Sequence, residues 1–428
     1  MDSKSPSIVI VTGEASGDLY GAHLAAQLTE MCPELQILGV GSSRMRKAGV
    51  RLLRDSSSWS AIGIVQALKV VPALEFAFYR LRKYLAASPP DLLVLVDFGA
   101  FNVRLAGRVH PLGIKTLYFI PPGSWYRGKT YKSISGNVDR VVTPFPWSHE
   151  TLQKEGFASD FLGHPLLDIV KPTASREDFF AQFSINPSET LVGLLPGSRG
   201  HEVSHVLPAE LIAAGMLAEK DPSLTFAIPL ASSICAQRVA EELSQIPWID
   251  MQSFCPQARM RSRRRYRIEQ ITASLVKEEG WVPPKTPVRI KLLPGQAGDI
   301  LAYSKAAIVT SGTATVEGAI LGCPMVIVYR GSRLMQLEYK LLGKGIKYIG
   351  MPNIVLDRVV CPELMGDDAS PRHIAELVLP LLTDSGERGA ALSGLAEVRA
   401  YLGEPGAICK TARLILSMIG HIPEEGVV

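Results

Sequence analysis

SIVIVTGEASGDLYGA, Ser7 to Ala22, joins an unbroken β-branched run to a Gly-rich turn and then to small residues spaced for a helix. Strands buried on both faces of a parallel sheet read as continuous apolar runs of this kind. The same strand, turn and helix order returns in DLLVLVDFGAFN (Asp91 to Asn102), TLVGLLPGSRGHE (Thr190 to Glu202) and AAIVTSGTATVEGA (Ala306 to Ala319). Between these stretches, LQILGVG, KTLYFIP and DRVVTPF extend the first half, and LTFAIPL, IKLLPG and PMVIVYR extend the second. The alternation predicts an α/β fold with two doubly wound parallel sheets in tandem. The first domain is expected over 1–170 and the second over 188–400, with residues 401–428 supplying a helix that packs back on the first.

A chain of 428 residues suits two domains. A 47% hydrophobic and 20% charged composition suits a globular protein with large cores, and a net charge of +4 gives no indication of nucleic acid. The six cysteines are scattered with no CxxC pair, which fits a reducing compartment and suggests neither a zinc site nor a disulfide framework. The N-terminal apolar run is too short for a secretory signal. The longest apolar stretch, starting at Ser60, is interrupted by Gln66, Lys69, Pro72 and Glu75, so it suits lying on a membrane and not crossing one. A buried core helix is its other reading. Residues 256–287 contain RMRSRRRYR and read as a surface insertion between strands, either a solvated charged loop or a patch touching phosphate or anionic lipid.

Three motifs carry chemistry. GEASGDLYGA lacks the GxGxxG spacing of a dinucleotide site, but sets Glu14 and Ser16 at a strand's carboxyl end. LLPGSRGHE lacks the Walker GK[ST], yet Gly197, Ser198 and Arg199 open a helix where backbone N–H groups and a guanidinium favour a diphosphate. SGTATVE offers Ser311, Gly312 and Thr313 to the same diphosphate and Glu317 to ribose hydroxyls, with a first-turn dipole role as the rival for Glu317. No DxD motif follows a strand, so the leaving diphosphate is expected to be stabilised by Arg199 and a helix dipole with no metal and no cofactor. His164 in GHPLLD either contacts substrate or is structural.

In their order, GEASGDLYGA, SAIGIVQALKVVP, FNVRLA, DFLGHPLLD, LLPGSRGHEV, SGTATVEGAILGCPMVIVYR and MPNIV resemble the lipid-A-disaccharide synthase family over nearly the whole chain. The resemblance implies a GT-B glycosyltransferase with a cleft between its two Rossmann-like domains. It implies inverting transfer of an acylated glucosamine from UDP to the 6-hydroxyl of an acylated glucosamine 1-phosphate, in lipid A biosynthesis. It also implies functional positions at Glu14, Arg199, Glu317 and Asn353, substrate contacts near Ser16, Asn102 and His164, and a possible homodimer. The segment near 60–80 would dock on the cytoplasmic face of the inner membrane, making the protein cytoplasmic and peripheral. One position departs. Where the family has an acid directly before Phe-Asn, this chain has Ala100, which leaves Asp97, Glu14 or His164 as the candidate base, Asp97 first, with a structural acid capping the next helix as the rival reading for Asp97. PPGSWYRGK and PFPW depart as well, so acceptor handling is where change is expected. A related UDP-sugar enzyme such as an epimerase or hydrolase, and a base-deficient nucleotide- or lipid-binding homologue, stay as alternatives.

Overall fold

The computed structural model describes residues 5–57, 59, 64–231, 234–254, 266–331 and 347–422; for 64–70 and 252–254 only the backbone is described. It divides into two units, Met1–Ile169 with Leu402–Val428, and Val170–Tyr401. Each is built on a seven-stranded, all-parallel sheet.

The first sheet contains β1 (Ser7–Val11), β2 (Gln36–Gly41), β3 (Arg51–Asp55), β4 (Leu92–Val96), β5 (Thr116–Phe119), β6 (Arg140–Thr143) and β7 (Ser159–Phe161). Its order is β3-β2-β1-β4-β5-β6-β7. The second contains β8 (Thr190–Leu195), β9 (Leu224–Ile228), β10 (Ile249–Phe254), β11 (Val288–Leu292), β12 (Ala306–Thr310), β13 (Met325–Tyr329) and β14 (Glu363–Met365), in the order β10-β11-β9-β8-β12-β13-β14. The strand order reverses at β1/β4 in one sheet and at β8/β12 in the other, and ligands of open α/β sheets gather outside the carboxyl ends of strands at such a switch point. GEASGD and DFGAFN follow β1 and β4; PGSR and SGT follow β8 and β12. Register confirms the adjacency: Val11 pairs with Leu95, and Leu195 with Val309.

The cores are apolar from both sides of each sheet. Leu92 to Val96 are wholly buried, as are Ile8, Ile10 and Val11. The return of the chain to the first unit is held by Asp168, whose carboxylate accepts from the N–H groups of Gly406 and Ile408 at the start of the helix Ala407–Met418. Lys115 Nζ donates to Met418 O at its end, 2.9 Å away.

Part of the expected surface insertion belongs to the core instead. Residues 268–279 form a helix, Ile268–Glu279, that buries Ile268, Thr272 and Leu275 and packs against the long helix Gly200–Lys220. Glu242 receives the N–H groups of Tyr266 and Ile268, both at 2.8 Å, and Trp281 sets its ring edge-on to Trp248, centroids 5.2 Å apart. Most of the arginine run lies outside the described residues. No helix among the described residues is long and apolar enough to cross a membrane.

One buried group works against this core. Glu210, in the helix Gly200–Lys220, is wholly buried and neither carboxylate oxygen has a hydrogen-bond partner. Burial pushes its pKa well above the usual carboxylate range, so the folded chain holds it neutral. Between about pH 4.3 and its raised folded value, unfolding therefore releases a proton, and stability falls as pH rises through that window. Glu210→Met should stabilise the protein by about 1–3 kcal/mol, with the gain over wild type larger at pH 7 than at pH 5 in urea denaturation. A gain that does not grow with pH would show that Glu210 is ionised and solvated.

Candidate active site

The turn after β4 is unusual in its backbone. Asp97 and Phe98 both lie in the left-handed region, at φ 48° and 50°, a conformation that costs a non-glycine residue free energy unless its surroundings hold it. Three groups hold it here. Asn102, wholly buried, donates Nδ2 toward Val11 O and Val96 O at 3.3 Å and Asp97 O at 2.9 Å, tying the ends of β1 and β4 together. The Tyr118 hydroxyl donates to the same Asp97 carbonyl at 2.9 Å. The Phe98 ring lies over Gly13 so closely that a Cβ there would fall within the ring, and it stacks on Phe101 and Trp59. Asn102 is thus a clamp on the turn, and Tyr118 is a participant that the sequence did not single out.

The turn aims the Asp97 carboxylate at the start of the helix Ala15–Met31, where the Ser16 hydroxyl donates to it at 3.3 Å. Burial, and secondly the negative charge of Glu14, raise Asp97 from 3.8 to about 6. That is the range of a carboxylate able to accept a proton near neutral pH. Glu14, Ser16 and Asp97 therefore form one cluster. Ala100, on the exposed first turn of the helix Gly99–Val109, offers no polar atom beyond its backbone. Asp18, in the helix Ala15–Met31, is structural: it is buried and its oxygens accept from Ser42 N, Ser42 Oγ and Arg44 N at 2.6–3.1 Å.

The two departing stretches of this unit pack on each other. The Arg127 guanidinium lies 4.4 Å from the centroid of the Trp147 ring, and Trp147 Nε1 donates to Ser124 O at 3.0 Å. Trp147 stacks on Phe145, which in turn meets His164, at 4.5 and 5.4 Å between centroids. His164 is buried, its Nδ1 accepts from Leu166 N at 3.1 Å, and burial lowers its pKa from 6.5 to about 3. It is a neutral imidazole serving a turn.

In the second unit, Gly197 takes φ 101°, open to glycine and strained for other residues, and a Cβ there would strike Glu202. Glu202 is the side chain that organises this loop. Its Oε2 accepts from the N–H groups of Ser198 and Arg199 at 2.8 and 3.0 Å, and its Oε1 pairs with Arg199 Nη1 at 3.2 Å. The amides expected to face a diphosphate are thus engaged by the protein's own carboxylate, reaching back from the first turn of the helix Gly200–Lys220 to its N-cap residue Arg199. A glutamate three residues after Arg199 was the available signal.

After β12, Ser311 donates its hydroxyl proton to Ile349 O at 2.6 Å. Thr313 and Glu317 lie partly buried on the helix Thr313–Ile320. Thr315 Oγ1 accepts from Met351 N at 3.2 Å, linking this helix to Met351–Leu356. There Asn353 makes four internal bonds: Nδ2 donates to Cys361 O and Glu363 Oε1, and Oδ1 accepts from Val360 N and Cys361 N. Those are all the hydrogen bonds an asparagine amide can make, so as placed it has none left for a ligand.

Paired parallel Rossmann-like sheets, each with its chemistry-bearing loops at the switch point, define the α/β architecture of UDP-sugar glycosyltransferases and epimerases. Solved structures agree at the level of fold: the chain superposes on Staphylococcus aureus MnaA with UDP at a TM-score of 0.60, 11% identity and 98% coverage of both chains. It superposes on Acinetobacter baumannii MurG at 0.54, 14% identity and coverage of 96% and 99%. The chain belongs to the lipid-A-disaccharide synthetase family, whose model matches residues 8–263 and 283–406. It is 34% identical to the lipid-A-disaccharide synthase of Geobacter sulfurreducens, over 98% of this chain and 99% of the relative, and 35% identical to that of Trichlorobacter lovleyi, over 96% and 97%. It is accordingly a glycosyltransferase. Residues 264–282, unmatched by the family model, contain the helix Ile268–Glu279.

The Gly13–Phe98 contact yields a thermodynamic test. Gly13→Ala should destabilise by about 1–3 kcal/mol through overpacking, and Phe98→Ala in the same chain should remove most of that penalty. Additive effects in the double-mutant cycle would mean that the ring does not confine Gly13.

Proposed function

We propose that this enzyme joins two acylated glucosamines by a single inverting displacement, with Asp97 as the general base. The acceptor is an acylated glucosamine 1-phosphate and the donor a UDP-linked, diacylated glucosamine. The acceptor's 6-hydroxyl oxygen attacks the anomeric carbon as the bond from that carbon to the diphosphate oxygen breaks. The hydroxyl proton passes to Asp97, and UDP leaves with the bonding electron pair.

One observation carries the assignment of the base. Asp97 is the acid of this turn, its pKa is raised to about 6, and Ser16 orients one of its oxygens. Glu14 keeps that pKa high and is a positioning residue. On the donor side, Gly197 gives the LPGSR loop its shape, and Arg199 and the Ser198 hydroxyl meet the diphosphate. The carboxylate of Glu202 repels an incoming diphosphate at the loop amides, so the Arg199 guanidinium is the main source of positive charge for the leaving group. Ser311, Gly312 and Thr313 line the adjacent turn, and Glu317 receives ribose hydroxyls. Asn102, Asn353 and His164 we assign to structural roles, because their polar atoms serve the chain's own backbone or are enclosed by it.

Lipid access follows from the helix Ile64–Ala87. Val71, Phe76 and Tyr79 on it are 43, 53 and 61% exposed, and Arg54 and Arg80 both flank the Phe76 ring, at 5.8 and 5.9 Å. Exposed aromatic groups beside guanidinium groups suit an anionic lipid surface. We read the enzyme as peripheral on that basis.

Turnover of the UDP-sugar with the acylated glucosamine 1-phosphate tests this reading. Asp97→Asn should lower kcat by roughly 10²–10⁴-fold with KM little changed. Wild-type kcat/KM should fall with an acid limb near pH 6, because protonated Asp97 accepts no proton. Ala100→Asp should restore part of the loss in the Asp97→Asn background. Full activity of Asp97→Asn would remove it as base, and UDP release without acceptor would favour a hydrolase. Arg199→Ala should abolish measurable UDP binding in calorimetry; unchanged affinity would misplace the diphosphate.

A further inference from the structure

At the edge of the first sheet opposite to Asp97, three metal-ligating side chains of different chemistry converge. The helix Ala15–Met31 starts at the carboxyl end of β1 and runs about 25 Å to the far edge, where Cys32 closes it. Glu34 lies in the turn into β2, and His421 follows the helix Ala407–Met418. Cys32 Sγ, a Glu34 carboxylate oxygen and an imidazole nitrogen of His421 all lie within 4.8 Å of one another. The Glu34 Oε1 to His421 Nε2 separation is 3.5 Å.

We propose that Cys32, Glu34 and His421 form a binding site for a zinc ion that clips the returning C-terminal helix to the first helix. Zinc takes thiolate, imidazole and carboxylate ligands at about 2.3, 2.0–2.1 and 2.0–2.2 Å, so its tetrahedral ligands lie roughly 3.3–3.8 Å apart. The cluster is within about 1 Å of that spacing. The required movement falls on Glu34 and His421, whose side chains are exposed, while Cys32 is buried. The backbone presenting them is ordered: Cys32 N donates to Leu28 O, Leu35 N to Cys32 O, Gly420 N to Ser417 O and His421 N to Leu416 O, all at 2.9–3.1 Å.

The chemistry of the set selects the ion. One sulfur, one nitrogen and one oxygen favour a borderline-soft divalent cation over magnesium or calcium, which prefer oxygen alone. As the sulfur–metal bond forms, the Cys32 thiol proton leaves to solvent. Among the described residues there are three ligands, which leaves the fourth position to water. The resulting bridge joins residue 32 to residue 421, so it acts on the unit that both ends of the chain complete.

The test uses the full chain stripped of metal. Titration with Co²⁺ should give a thiolate-to-cobalt charge-transfer band saturating at one ion per chain, bleached by Zn²⁺. Zn²⁺ should also raise the thermal midpoint. Cys32→Ser should abolish the band, and Glu34→Gln and His421→Asn, both on exposed side chains, should each weaken Zn²⁺ binding more than tenfold. UDP affinity should be unchanged in all three, which checks folding and keeps this result separate from the reading of the active site. Absence of the band in the wild type, or a band that survives Cys32→Ser and therefore comes from another thiol, would overturn the proposal. So would wild-type Zn²⁺ affinity in both Glu34→Gln and His421→Asn.

Discussion

The first unit depends on a strained turn kept in place by its neighbours. Two consecutive left-handed residues, Asp97 and Phe98, would not hold that shape alone. Asn102 binds the turn to the ends of β1 and β4, Tyr118 binds the Asp97 carbonyl, and the Phe98 ring uses the space that Gly13 leaves. The carboxylate is consequently set at the strand edge by main-chain geometry, with one rotamer choice left to Ser16 and Glu14. A carboxylate fixed this way has little conformational freedom left to lose.

Ala100 and Asp97 share this turn but not its environment. A carboxylate on the exposed first helical turn would be solvated and would titrate close to an ordinary acid. Asp97 sits one turn further in, where desolvation and Glu14 hold its proton affinity higher. The side chains of Arg127, Trp147 and Phe145 form one stack that ends on His164. PPGSWYRGK and PFPW therefore pack together as one surface.

How much was legible follows from burial. The central strands announce themselves because both faces are covered, as Leu92 to Val96 illustrate. The outer strands did not: SDF and ELM have only three residues each, and RLLRD and IDMQSF, at the sheet edges, interleave polar residues and lack the continuous apolar signal. The helix Ile268–Glu279 carries a helical period in Ile268, Thr272 and Leu275, but the arginine run before it dominates the local composition. That Asp97, Ser16 and Glu14 lie together was readable because a strand's carboxyl end is a fixed address in this architecture. Residue type alone does not reveal that Glu202 occupies the amides of Ser198 and Arg199, or that Asn353 is saturated. Both depend on where a second chain segment comes to rest.

The first unit is discontinuous in sequence, since Leu402 and the residues after it return to it. Asp168 waits for N–H groups 238 and 240 positions later. During synthesis the N-terminal sheet emerges early, but the apolar face of its first helix stays uncovered until the ribosome has made the final helix. Chains cut short near residue 400 would retain every strand of both sheets and still present that bare face to the cell's quality-control machinery.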